Sequence, residues 1–250
     1  MYSITGNSTL VSEWQNLITA FAKRPFNFGG YYSIDDILDK LGVDVILESG
    51  IVSERVVPRE LKDAQEFWKK ECCKEENSGT NNKEIEKAKG IKGMVDDDIN
   101  SWKMMPLRGC YIPDENVIKL YPDEMVTEYD GKRMEELIVS TLAHETMHAY
   151  YNCQNVNRHQ YVAFFEEPLA EFGMLLYLKE TNCVFYDWAK KDVAIKPTFY
   201  RYGAYLMDQD LSALGRDSSL RQFLEGYKIM CPVISEPEII NGHIYMPNGD

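Results

Sequence analysis

From Lys132 to Tyr151 the chain carries neither proline nor glycine, and within that stretch lies His144-Glu145-Thr146-Met147-His148. Met134, Leu137, Ile138, Thr141, Leu142 and Ala149 recur there at three- and four-residue intervals, which predicts a helix. Asp130-Gly131 supplies a start and Asn152 a stop. Residues four apart lie on one face of a helix, so the imidazoles of His144 and His148 can reach a single metal ion. Glu145 sits about a hundred degrees further round, beside the ion rather than on it, where it can take a proton from water. Of the 4 histidines in the chain, two fall in this pattern.

A zinc site with catalytic character needs a third protein ligand and an open position. After eighteen intervening residues, His148 is followed by Glu167, in Phe165-Glu166-Glu167-Pro168-Leu169-Ala170-Glu171-Phe172. Pro168 fits the first turn of a helix, where its missing N–H costs nothing, and Phe172, Met174, Leu175, Leu176 and Leu178 carry that helix into a core. Glu167 and Glu171 then share a face one turn apart. The first is placed to bind the metal, the second to accept a proton from a ligand imidazole and fix its tautomer.

HExxH, eighteen residues, then Glu with Ala-Glu three residues on resembles the gluzincin metallopeptidases, most closely the aminopeptidase N-like branch. That branch reads approximately Asn-Glu-Gly-Phe-Ala-Glu; here Glu166-Glu167-Pro168-Leu169-Ala170-Glu171 departs at the first, third and fourth positions. Tyr200-Arg201-Tyr202-Gly203-Ala204 is similar to the family's Tyr-x-x-Gly-Ala helix start, whose tyrosine steadies an oxyanion; Tyr200 takes that role by the resemblance, with Tyr202 as the alternative. The likeness spans roughly Leu107 to Tyr227. It implies an α+β fold with a zincin-like catalytic unit: a small mixed sheet with an edge strand, the HExxH helix, a third-ligand helix and a helical C-terminal part. It also implies one Zn²⁺ bound by His144, His148 and Glu167, with Glu145 as general base in peptide hydrolysis. The family's Gly-x-Met-Glu-Asn strand is altered: the segment from Gly109 to Leu120 keeps Glu115-Asn116 without the preceding Gly-x-Met. Val117 to Leu120 still reads as a strand and Pro113-Asp114 as a turn. Peptide substrate is therefore expected along this strand, at Asn116 and Ile118. The altered strand and Pro168 leave open a second class of function, a zinc-bearing module that captures peptides without turning them over.

The net charge of −13 argues against nucleic acid or an anionic membrane as the main partner. No apolar run approaches the length of a bilayer span. The first twenty residues lack a basic-then-apolar secretory pattern, the 6 cysteines show no zinc-ribbon spacing, and a domain of this size needs no disulfides to fold; free thiols and a cytoplasmic location are expected.

Upstream, Ser12 is expected to begin a helix bearing Trp14, Leu17, Ile18 and Phe21, and Ser33 a second one closed by Gly42. Val43 to Leu47 and Ile51 to Val57 read as strands, and Pro58 to about Cys73 as a third helix. Lys74 to Lys92 is rich in charge and poor in large apolar groups, so it reads as a loop or linker. The division expected is 1–73 as an N-terminal α+β piece, 74–92 as linker and 93–250 as the zincin-like unit. His159 falls in a polar connection and reads as a surface residue. His243 reads as structural, with a role at the oxyanion as its alternative.

Overall fold

The computed structural model describes residues 2–50, 57, 59–78, 82–129, 133–154, 163–196, 200, 238–240 and 243–245. Among them, eight helices and six strands make a mixed α+β fold. The central sheet has four strands: β1 (Ile4–Gly6), β2 (Asp44–Leu47), β3 (Gly109–Ile112) and β4 (Val117–Leu120), in spatial order β1-β2-β4-β3. β2 lies parallel to both β1 and β4, whereas β3 and β4 form an antiparallel hairpin with Tyr111 opposite Ile118. Val43, Val45, Leu47, Ile118 and Leu120 are fully buried, so the alternation read from the sequence points one side chain in two into the core. A separate two-stranded ribbon joins β5 (Glu238–Ile240) to β6 (His243–Tyr245).

Helix α1 (Ser8–Ala22) begins at Asn7, whose side chain accepts from the amides of Thr9 and Leu10; the start lies four residues before Ser12. Helix α2 (Ile34–Leu41) is bounded as expected. Ser33 Oγ accepts from Asp36 N–H at 2.9 Å, and Gly42 closes the helix in the left-handed conformation. Of the region expected to be a linker, residues 74–78 and 82–92 are helical instead. Helix α3 (Arg59–Ser78) and helix α4 (Asn82–Met104) pack along each other, with Gln65 Nε2 donating to Asp96 Oδ1 at 2.6 Å across the pair. Ala88, Ile91, Val95, Ile99 and Trp102 form a buried stripe at helical spacing, joined by the buried Asp98, and most of the other lysines and acids clothe the outer faces. Residues 51–56, expected to be a strand, lie outside the described residues.

The N-terminal piece is not set apart from the rest. β1 and β2 complete the sheet to which β4 belongs, and their side chains share one hydrophobic core with the later helices. Helix α5 (Pro122–Tyr129) follows the hairpin. Helix α6 (Met134–Gln154) carries the histidine motif and runs two residues past Asn152. Helix α7 (Ala163–Glu180) starts five residues before Pro168, which therefore stands inside the helix rather than in its first turn. Helix α8 (Tyr186–Ile195) lies against α7.

Candidate metal centre

Helix α6 is buried on every side in its middle turns, from Leu137 to Tyr150. A helix so enclosed can keep polar side chains only if they find partners. Ser140 Oγ donates to Glu136 O at 2.7 Å and Thr146 Oγ1 to Leu142 O at 2.7 Å, so these hydroxyls are satisfied within the helix itself. The ionisable groups at its centre, His144, Glu145 and His148, are buried as well, and find partners on other elements and in each other. Two glycines let other elements close on this helix. A Cβ at Gly109 would stand 2.7 Å from Thr141 Cγ2, and one at Gly173 would stand 2.5 Å from Met147 Cγ. Strand β3 and helix α7 therefore approach α6 at distances that a side chain at either point would obstruct.

The approach of α7 brings Glu167 and Glu171 to the histidines. His144 Nε2 lies 3.0 Å from His148 Nε2 and 3.1 Å from Glu167 Oε2, and His148 Nε2 lies 3.4 Å from the same oxygen. This near-equilateral triangle is awkward for hydrogen bonds, because each N–H points along one line at one acceptor. It suits a cation: ligands at about 2.0 Å around a tetrahedral ion stand about 3.3 Å from one another. The three groups are buried and could hold a metal ion, as the spacing of His144, His148 and Glu167 anticipated. Imidazole and carboxylate donors admit several divalent ions. Behind the triangle, His144 Nδ1 and Glu171 Oε2 are both buried without a hydrogen-bond partner among the described residues. Glu171 Oε1 stands 3.6 Å from that Nδ1, a gap that a small shift closes to a hydrogen bond.

The electrostatics are those of a tightly coupled cluster. Burial pushes the Glu167 carboxyl up, but His148 and His144 outweigh it and hold the group well below the usual carboxylate range. Burial pushes His144 down, and Glu171 together with the bond to Glu167 more than reverses this, so its net shift is upward. Glu171 is raised by burial and lowered further by Lys196 and His144.

Glu145 stays off the triangle. Its Oε2 accepts from Tyr111 N–H at 2.9 Å, so the carboxylate hangs on the outer edge of β3. That edge corrects the expected peptide-binding residues. β4 is interior, paired on both sides, and Ile118 is fully buried within it. Asn116 is tied into the hairpin turn, donating to Leu41 O and Gly42 O at 2.9 Å each and accepting from Tyr111 Oη at 2.9 Å. The accessible strand is β3, one step across the hairpin. Tyr200 is brought to the site: its ring centroid is 6.4 Å from that of His144, and it stacks on Trp102 at 5.9 Å. Tyr202 and His159 lie outside the described residues, and His243 falls in β6.

A cavity of about 50 Å³ opens beside His144 and Glu145, walled by Pro106, Thr141, Met174, Ala189, Lys196 and Tyr200. Arg108, Asp192 and Lys196 at its margin were not singled out in the sequence. The i,i+4 spacing of Asp192 and Lys196 is the one local signal that marks them.

No family model, curated protein or solved structure matches the chain. The functional reading therefore rests on the geometry of the site.

Proposed function

We propose that this chain is a zinc-dependent metallopeptidase of zincin type, hydrolysing peptide bonds at the His144–His148–Glu167 centre. The observation that carries the reading is the joint placement of Glu145: adjacent in sequence to a metal ligand, outside the ligand triangle, and hydrogen-bonded to the edge strand of the sheet. A carboxylate serving only as a ligand or a core ion pair has no reason to sit there. The succession of edge strand, histidine helix and third-ligand helix also supports a zincin-type arrangement.

Zinc, when bound, polarises a carbonyl and makes water acidic near neutral pH. The protein's own residues do the rest. Backbone groups of β3 pair with an extended peptide and lay its carbonyl across the site. Glu145, anchored through one oxygen by Tyr111 N–H, takes the proton of the attacking water and returns it to the leaving amine. Tyr200, in the cavity wall, donates a hydrogen bond to the developing oxyanion. The enclosed floor keeps bulk water from competing with these contacts.

Glu145→Gln should retain the metal yet lower hydrolysis of a peptide library by at least about 10²-fold, the usual loss on removing a general base. The parental activity should also vanish on chelation and return with zinc. Peptide capture without turnover by the parental chain would instead favour the non-catalytic binding module. Cleavage by the Gln variant at the parental rate would end the assignment of Glu145.

A further inference from the structure

Glu171 is fully buried, and its carboxylate faces His144 on the side away from the ligand triangle. A carboxylate so far from water needs a cation and hydrogen bonds to answer its charge. The cation comes from Lys196, at the C-terminal cap of α8, whose Nζ donates to Glu171 Oε1 at 2.5 Å. The same ammonium lies 3.7 Å from Asp192 Oδ2, one turn back along α8, and 5.4 Å from the centre of the Tyr200 ring.

Asp192 is answered chiefly by Arg108, its closer partner. The guanidinium engages both carboxylate oxygens, at 2.8 and 3.2 Å, with both residues largely buried. The charges thus alternate in a row from Arg108, which leads into β3, through Asp192 and Lys196 of the α8 end, to Glu171 of α7 and His144 of α6. Four segments that surround the centre are joined by it, and Lys196 is the member that connects the Arg108–Asp192 pair to the histidine.

We propose that Lys196 is a positioning residue for the metal centre. By holding Glu171 Oε1 it keeps that carboxylate an acceptor aimed at His144 Nδ1, which directs the proton of His144 to Nδ1 and leaves the Nε2 lone pair facing the metal. The inference rests on the metal-centre reading given above. It extends it to a residue that touches neither the metal nor the reacting atoms, and it ties metal affinity to the α8 end that adjoins Tyr200.

The test is a double-mutant cycle read as metal affinity, with Zn²⁺ and Co²⁺ as probes in competition against a chromophoric chelator. The Co²⁺ visible spectrum serves as a report on the ligand set. Lys196→Met should weaken binding by about 10- to 100-fold, the range usual for residues that orient metal ligands. Lys196→Arg should restore it to within about threefold, since the charge and donors persist. Glu171→Gln should weaken binding comparably, and the double variant should bind no worse than Glu171→Gln alone, because Lys196 acts through Glu171. Parental affinity in Lys196→Met overturns the inference while leaving the metal centre standing, and so does a further loss in the double variant. Should Lys196→Met fail to fold, Lys196→Gln is measured in its place, and parental affinity in that variant overturns the inference in the same way. If the parental chain binds neither ion, the metal reading falls and the inference with it.

Discussion

His144 shows how far one side chain's behaviour follows from its neighbours. In the metal-free chain its pKa is raised, because Glu171 and Glu167 outweigh the opposing effect of burial. The sign of the consequence is fixed: His144 favours its protonated form, while a metal ligand must be neutral. Metal affinity should therefore climb as pH rises through that elevated value, and below it each ion bound should release a proton. Glu167, held well below the usual carboxylate range, is already ionised there and contributes no such dependence. The same raised value gives the metal-free fold stability that is present below the ordinary histidine pKa and lost as pH rises through the folded one. Zinc titrations between about pH 5.5 and about pH 8.5, spanning the ordinary histidine value, in two buffers of different ionisation enthalpy, would measure both affinity and proton release. A flat affinity with no proton released would contradict the arrangement described for His144. At this scale the sequence was legible where spacing alone places the groups: His144, Glu145 and His148 within one turn, and Glu167 and Glu171 on one face of the next helix. Lys196 and Arg108 were not legible, because their partners are 25 and 84 residues away and only the packing of helices brings them together.

The packing of α7 on α6 sets the distance between ligands, and Gly173 sits at the contact. Gly173→Val would drive a branched side chain into Met147, costing about 1–3 kcal/mol as overpacking and moving Glu167 and Glu171 relative to the histidines. Zinc affinity should fall along with stability. Gly90 is the matched control. It lies within α4, nothing stands within 4 Å of a Cβ built there, and its backbone is in the ordinary helical region. Gly90→Ala should stabilise by about 0.5–1 kcal/mol, the helix-interior difference between the two residues, and leave zinc affinity unchanged. Denaturant melts of both variants without metal would settle the pair; a neutral Gly173→Val would mean the helices are not in the close contact described. The same helices show why elements differ in legibility. α2 is legible at both ends because Ser33 and Gly42 are local signals. Residues 82–92, the first part of α4, read as linker because they are rich in lysine and glutamate; Ala88 and Ile91 are too few to outweigh that composition until they are seen packed. In the sequence Pro168 reads as a first-turn residue, which places the start of α7 too late; the helix runs through it from Ala163.

Across the whole molecule, the elements that hold the centre depend on the N-terminal segment. Tyr177 of α7 donates to Phe21 O of α1, and the rings of Phe21 and Phe26 meet Tyr177 edge-on at 4.9 and 5.0 Å. Phe28 meets Tyr150 of α6 at 4.9 Å in the same manner. With β1 and β2 completing the sheet and α1 and α2 packed on α6, the elements that carry the ligand triangle share one core with the N-terminal segment. A metal bound to such a triangle favours the folded chain alone, because the unfolded chain cannot reproduce three ligands drawn from two helices. At a free zinc concentration a hundred times the dissociation constant, the gain is about 2.7 kcal/mol. For a chain of 250 residues that corresponds to a rise of roughly 5–10 °C in melting temperature, at about 2–4 °C per kcal/mol. His144→Ala, His148→Ala and Glu167→Ala should each remove most of that rise, since each takes away one of the three donors. Glu145→Gln should keep it, because Glu145 stands outside the triangle. A uniform rise across all four variants would place the zinc elsewhere on this acidic chain. The graded pattern, lost with the ligands and kept with the base, is what a centre built on these three residues requires.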